Sequence, residues 1–100
     1  MTTQRQTKGL RIDGFGTVVM TGTSCNGGPG ESPYIVLDIR GKEWTWFAPT
    51  EDVLWIPRGE TVMIGAFGYE DDFRGARLRR VSLTRILDDG SCRHYGMKGN

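Results

Sequence analysis

The chain reads as an all-β protein, a small five-stranded Greek-key barrel with one short helical turn between its third and fourth strands. Three observations predict this. Apolar residues alternate with period two in five blocks, the pattern of half-buried strands. Glycine, 15 of 100 residues, is about twice its usual share and gathers between the blocks, where turns belong. No internal repeat and no long amphipathic helix breaks the series. One hundred residues suit one domain with one small core.

The first block runs from Leu10 to Thr23, with Leu10, Ile12, Val18 and Met20 on one parity and Gly14 and Gly16 between them. Glycines on the inner face let a long strand coil sharply, as a small barrel requires. It grades into a loop, Thr21 to Gly30, assigned by composition. The second block, Tyr34 to Arg40, sets Ile35, Leu37 and Ile39 against Tyr34, Val36, Asp38 and Arg40. Arg40 to Glu43 is a hairpin turn into the third block, Glu43 to Ala48. A loop of even length pairs Ile39 with Trp44 and Leu37 with Trp46, which sends both tryptophans into the core. A three-residue loop reverses that assignment, because a slip of one flips every side chain.

Pro49 to Pro57 breaks the alternation and predicts one helical turn starting near Thr50, with Glu51 and Asp52 in a favourable first turn. Trp55, in this segment, is expected to cap the barrel's end. The fourth block, Glu60 to Tyr69, turns Val62, Ile64 and Ala66 inward. In the fifth, Ala76 to Leu87, Leu78 has one parity while Val81 and Leu83 have the other, which predicts a bulge near Arg79 and Arg80. The barrel is thus expected over residues 10–87, with flexible tails over 1–9 and 88–100.

The remaining composition narrows the function. With 37% apolar and 25% charged residues the chain is near the globular average. No apolar run approaches the roughly 20 residues of a membrane span, and the first eight residues lack a signal peptide's apolar core. The expectation is a cytoplasmic protein with no membrane partner. Cys25 and Cys92 form no C-x-x-C pair. A disulfide between them is the alternative to two free thiols, and the reducing compartment expected here favours the thiols. His94 is the only histidine, too few ligands for a structural zinc, so neither metal nor other cofactor is expected. No acid–base pair or phosphate-cradling loop is present, since Asn26 to Gly30 lacks the G-K-[ST] ending. Catalysis is not expected.

Net charge is only +1, but it is unevenly spread. Residues 31–60 sum to −3, whereas residues 74–87 hold Arg74, Arg77, Arg79, Arg80 and Arg85 with no acid, a sum of +5. A local cationic strip can bind phosphate on a molecule that is neutral as a whole.

At the fourth and fifth blocks the chain resembles an OB-fold of the bacterial single-stranded DNA-binding type. Gly59-Glu-Thr-Val-Met-Ile-Gly-Ala-Phe67 is similar to that family's G-x-x-V-x-V-x-G strand. Tyr69-Glu-Asp-Asp-Phe-Arg-Gly75, with a strand ending in Arg85-Ile-Leu87, resembles its long hairpin and closing strand. Glu43-Trp-Thr-Trp-Phe47 sits where the family often places an aromatic-bearing third strand. The resemblance spans about residues 10–87 and implies that Trp44 and Tyr69 are base-stacking positions. It departs from the family in its shorter connection between the third and fourth strands and in the absence of an acidic run near Arg93 to Asn100. Strand count alone also fits an SH3-like barrel.

Sequence-tolerant binding of single strands needs cations along the backbone path and flat rings for bases. The cations offered are Arg40, Lys42, Arg74, Arg77 and Arg79; the rings are Tyr34, Trp44, Trp46, Phe47, Tyr69 and Phe73. Each has a plainer job available. A small barrel must fill its core with something large, and arginines on a strand can simply solvate a sheet edge. Two functions therefore stand side by side. One is non-catalytic binding of single-stranded DNA or RNA, DNA preferred, over the outer face of strands two and three. The other is a protein-interaction module on the same barrel, an adaptor or a phage- or plasmid-encoded inhibitor. Self-association into a homo-oligomer is a further expectation.

Overall fold

Each alternating block becomes a strand. The computed structural model describes residues 9–24, 31–71 and 75–96. They form β1 (Leu10–Ser24), β2 (Ser32–Ile39), β3 (Lys42–Phe47), a 3-10 helix (Glu51–Trp55), β4 (Thr61–Asp71), β5 (Gly75–Ile86) and β6 (Cys92–Gly96). The strands make one sheet in the order β3-β2-β1-β4-β5-β6, antiparallel between neighbours. In addition β3 meets β5 in parallel, at Thr45 and Arg77. The fold is thus almost wholly antiparallel β.

β1 does the most bending. It pairs with β4 from Leu10 to Thr17 and with β2 from Thr17 to Ser24. Gly16 marks the change of partner. A Cβ there would stand 3.0 Å from Ile39 Cγ1, closer than ordinary contact, so glycine lets β1 lie against Ile39 without displacing that side chain. A bulge between Val18 and Met20 then shifts the register against β2. It turns Met20 outward, so Met20 is exposed and does not share the core with Ile12 and Val18. Leu10, at the strand's free start, is exposed as well.

The β2–β3 hairpin is a two-residue turn with positive φ at both Arg40 (53°) and Gly41 (88°), the geometry that matches strand twist. Asp38 Oδ1 accepts a hydrogen bond from the Gly41 amide at 2.9 Å and fixes it. The resulting pairs are Leu37 with Trp44 and Ile35 with Trp46. These differ by two residues from the expected Ile39–Trp44 and Leu37–Trp46. An even shift preserves the face, so both tryptophans still enter the core.

The turn before β4 is helical as expected. Thr50 caps it, its hydroxyl accepting from the Asp52 amide at 3.2 Å. Val53 is the residue this turn buries; Trp55 is 78% exposed and caps nothing. At the far end, Arg80 takes φ 54° and the β4–β5 register slips between Gly65 and Phe67. That bulge returns Val81 and Leu83 to the core beside Leu78.

The segment expected as a tail from residue 88 contains β6. Asp88-Asp89-Gly90-Ser91 is a turn closed by Leu87 N–H to Ser91 O and Gly90 N–H to Leu87 O, 2.8 and 2.9 Å. β6 returns along β5 and lays Tyr95 opposite Leu83, buried. Residues 1–8 and 97–100 of the expected tails lie outside the described residues. The core combines Ile35, Leu37 and Ile39 of β2 with Trp44 and Trp46 of β3, Val62, Ile64 and Ala66 of β4, and the inward residues of β1 and β5. Each such aliphatic side chain contributes about 1.5–3 kcal/mol on burial. Among the described residues, no helix is long and apolar enough to cross a membrane.

Candidate functional site

Outward-facing positions follow from the inward ones. Because Ile35, Trp44, Trp46, Ala66 and Leu78 point in, Tyr34, Thr45, Phe47, Phe67, Tyr69, Arg77 and Arg79 share the opposite face. The pairings then bring them together. Tyr34 stands opposite Phe47 across β2 and β3, with ring centroids 5.7 Å apart and planes tilted by 48°. Arg77 has Thr45 of β3 on one side and Tyr69 of β4 on the other.

Arg77 leans across to β3, its Cζ 4.6 Å from the centre of the Phe47 ring. Arg79 lies over Tyr69 at 4.3 Å. Contacts of this kind are worth about 0.5–1 kcal/mol at exposed sites, enough to hold a long side chain in place. Neither arginine has a carboxylate partner: the ion pairs among the described residues are Arg11–Asp13, Lys42–Glu70 and Arg85–Glu60. Two guanidinium groups therefore lie over rings, with no carboxylate partner among the described residues. A shallow groove of about 320 Å³ runs beside Arg77, lined with it by Thr23, Ser24, Tyr34, Thr45 and Phe47.

The other expected site residues are placed differently. Trp44 and Trp46 are 5% and 6% exposed. They are core side chains, with too little surface to stack a base, because the hairpin register points them inward. Lys42, at the start of β3, has the parity of Trp44 and not of Phe47; its Nζ lies 4.7 Å from the Trp44 ring centre, and it is bound to Glu70. Arg40 turns away toward β1 and donates from Nη2 to the Asp13 carbonyl at 2.7 Å. Phe73 and Arg74 lie outside the described residues.

The cationic strip consequently divides. Arg77 and Arg79 join the belt, Arg80 stands exposed at the bulge, and Arg85 is committed to Glu60. Arg85 Nε donates to Glu60 Oε2 at 2.6 Å and Nη2 to Oε1 at 3.2 Å in a part-buried setting. The bond to Glu60, and after it one to Tyr95, raises the guanidinium's affinity for its proton above the ordinary value.

Two residues that alternation did not single out extend the belt. Phe67 shares the outer face with Tyr69 and stands opposite Arg79 on β5 and Arg11 on β1. Arg11 lies over its ring at 5.3 Å. The signal was available, since Phe67 and Tyr69 have the same parity within one block. Elsewhere His94 meets a hydroxyl, Nδ1 2.9 Å from Thr84 Oγ1. Both are outer-face residues of a cross-strand pair, and no carboxylate joins them among the described contacts. Cys92 carries a free, exposed thiol, and Cys25 lies outside the described residues. No group of three or more metal-ligating side chains gathers among the described residues. Comparison with protein-family models, with curated proteins and with solved structures finds no match to this chain.

Proposed function

We propose that the chain is a non-catalytic binder of single-stranded nucleic acid, DNA preferred, built on a closed five-stranded barrel of the OB type. Closure is supported by the strand row itself. β3 and β5 stand four places apart in the order β3-β2-β1-β4-β5, yet they pair in parallel. On this reading the likeness to single-stranded DNA-binding domains lies in topology, and the aromatic platform is displaced from Trp44 to the outer rings.

The observation that carries the function is the pair of contacts Phe47–Arg77 and Tyr69–Arg79, two guanidiniums over rings with no carboxylate partner among the described residues. Unpaired bases stack on rings and on guanidinium planes alike, and phosphates accept the remaining donors. A duplex hides its base faces, so it offers such a belt only phosphate. No step of the binding needs a metal or cofactor, and the work of such a protein belongs to the cytoplasm, where single strands arise.

The test is the double substitution Arg77→Ala with Arg79→Ala. It should weaken binding of a labelled single strand about tenfold or more and lower the salt slope by about 1.4, roughly 0.7 for each lost phosphate contact. Circular dichroism should keep the parent's strand signature, with stability lowered by no more than about 1–2 kcal/mol, the amount that the two ring contacts supply. Unchanged affinity would mean that both arginines only solvate the sheet.

A second reading, a protein-interaction module, is favoured by one observation. Phe15, Met63 and Ile86 are 63%, 43% and 55% exposed on the outer face of β1, β4 and β5. Exposed apolar groups lying together mark contact surfaces more often than singly scattered ones. Retained affinity in the arginine variant, with loss of a captured protein on Phe15→Ser, would favour this reading.

A further inference from the structure

We propose that the single-strand track continues beyond Tyr69 across β4 and onto β1, through Phe67 and Arg11, and that Asp13 sets the strength of that end. This rests on the single-strand reading above and asks how far the bound strand reaches.

Register lays out the track. Arg11 of β1, Phe67 of β4 and Arg79 of β5 occupy one line across the sheet. Tyr69, Arg77 and Thr45 occupy the next, and Phe47 and Tyr34 follow on β3 and β2. From Phe47 on, rings and guanidiniums alternate, so that the row over five strands is Tyr34, Phe47, Arg77, Tyr69, Arg79, Phe67, Arg11. Each arginine lies over one ring, Arg77 over Phe47 at 4.6 Å, Arg79 over Tyr69 at 4.3 Å and Arg11 over Phe67 at 5.3 Å, and strand pairing places Arg77 beside Tyr69 and Arg79 beside Phe67. Four strand spacings of about 4.8 Å give a track about 19 Å wide. A track this short suits a few nucleotides, near the low end of the roughly 4–16 that one domain of this kind covers.

The β1 end differs from the rest in one respect. Arg11 Nε donates to both Asp13 carboxylate oxygens at 3.1 Å. The pair is exposed, so it is weak and readily exchanged for phosphate. Asp13 thus competes with the ligand at this end only. Among the described residues Arg77 and Arg79 face no such competitor. The end at Arg11 is accordingly the weaker half of the track, and one that removal of a single negative charge would strengthen. Asp13's main-chain carbonyl is held separately by Arg40 at 2.7 Å, so replacing the carboxylate leaves the backbone anchor in place.

The experiment titrates labelled oligo-dT of about 4 and about 20 nucleotides against the parent chain and three variants: Arg11→Gln with Phe67→Leu, Arg11→Gln alone, and Asp13→Asn. Leucine keeps Phe67's apolar cover but removes the ring, and Arg11→Gln alone guards against a folding defect in the double variant. The expected result is about tenfold weaker binding of the longer strand by the double variant, a smaller loss with Arg11→Gln alone, and tighter binding with Asp13→Asn. The salt slope should fall by about 0.7 when Arg11 is lost. Unchanged affinity in all three variants, while Arg77→Ala with Arg79→Ala still weakens binding, would overturn the extension and end the track at Tyr69. If that arginine pair also proves silent, the single-strand reading itself fails.

Discussion

The guanidinium of Arg77 lies 4.6 Å from the centre of the Phe47 ring, although the two residues belong to strands 30 positions apart in sequence that meet in parallel. The contact depends on β3 and β5 being brought together, the arrangement that would close a barrel. Among the described residues, no carboxylate pairs with Arg77. Fold and proposed function thus share one pair of side chains, which makes the pair informative to mutate.

A double-mutant cycle of Phe47→Leu and Arg77→Gln isolates that contact. Without nucleic acid the coupling in unfolding free energy should be about 0.5–1 kcal/mol. Each single variant should lose much more in affinity for a single strand than in stability. Coupling near zero would mean that the ring does not hold the arginine.

Trp44 separates core from platform. It is buried, and its ring packs on the bare backbone of Gly68, where a Cβ would come within 2.7 Å of it and 2.5 Å of Ile12 Cδ1. Trp44→Ala should cost about 3–5 kcal/mol in urea unfolding, and Gly68→Ala about 1–3 kcal/mol from the opposite direction, overpacking. A Trp44→Ala variant of near-parent stability that no longer binds would return Trp44 to the surface.

Tyr95 tests whether β6 is part of the fold. Its buried ring lies opposite Leu83, so Tyr95→Ala should cost about 3 kcal/mol. The amides of Leu83 and Arg85 should exchange faster with solvent as β6 detaches. A loss below about 0.5 kcal/mol, the scale of an ordinary surface change, would mean that 92–96 behaves as a tail.

The turn that delivers β6 gives a pH dependence. Asp89 accepts from the Ser91 hydroxyl at 2.6 Å and from the Ser91 amide at 2.9 Å. These bonds hold its carboxyl below the ordinary aspartate value. A lowered folded value stabilises fully above the unfolded pKa, about 3.9, and the contribution disappears as pH falls through the folded value. The β5–β6 turn should therefore loosen only in acid. The difference in melting temperature between Asp89→Asn and the parent should be constant from neutral pH down to about 5 and shrink below about 4. A difference that does not change with pH would contradict the assignment.

Much of this fold was legible from alternation. Val62, Ile64 and Ala66 face inward as their parity requires, and the parity break between Leu78 and Val81 locates the bulge at Arg80. Thr50 with Glu51 and Asp52 announces the helical turn by cap chemistry. What parity alone missed had other physical causes. Val18-Val19-Met20 is a continuous apolar run, and only pairing with β2 decides where the extra residue bulges. β6 carries two apolar residues in five, Cys92 and Tyr95, three positions apart and so out of step with period two, although Asp88-Asp89-Gly90 before it is a turn signal. Trp55 is large and apolar, yet the smaller Val53 takes the buried position, because a 3-10 turn presents only one side to the core.

The candidate site was legible in part. Tyr34, Phe47, Tyr69, Arg77 and Arg79 are brought together on one face, while Arg40 is drawn to the Asp13 carbonyl and Lys42 to Glu70 by partners far away in sequence. Long-range pairings of this kind are invisible in a local pattern. Phe67 and Arg11 join the belt for the same reason, through the β1–β4 register.

The central claim is best tested by fluorescence anisotropy with a labelled single strand of about 20 nucleotides, longer than the roughly 4–16 one such domain covers. The titration is run at low and high salt, beside a duplex of the same sequence. The account predicts binding that prefers the single strand and weakens steeply with salt. Absence of binding at low salt, or equal affinity for the duplex, would contradict it.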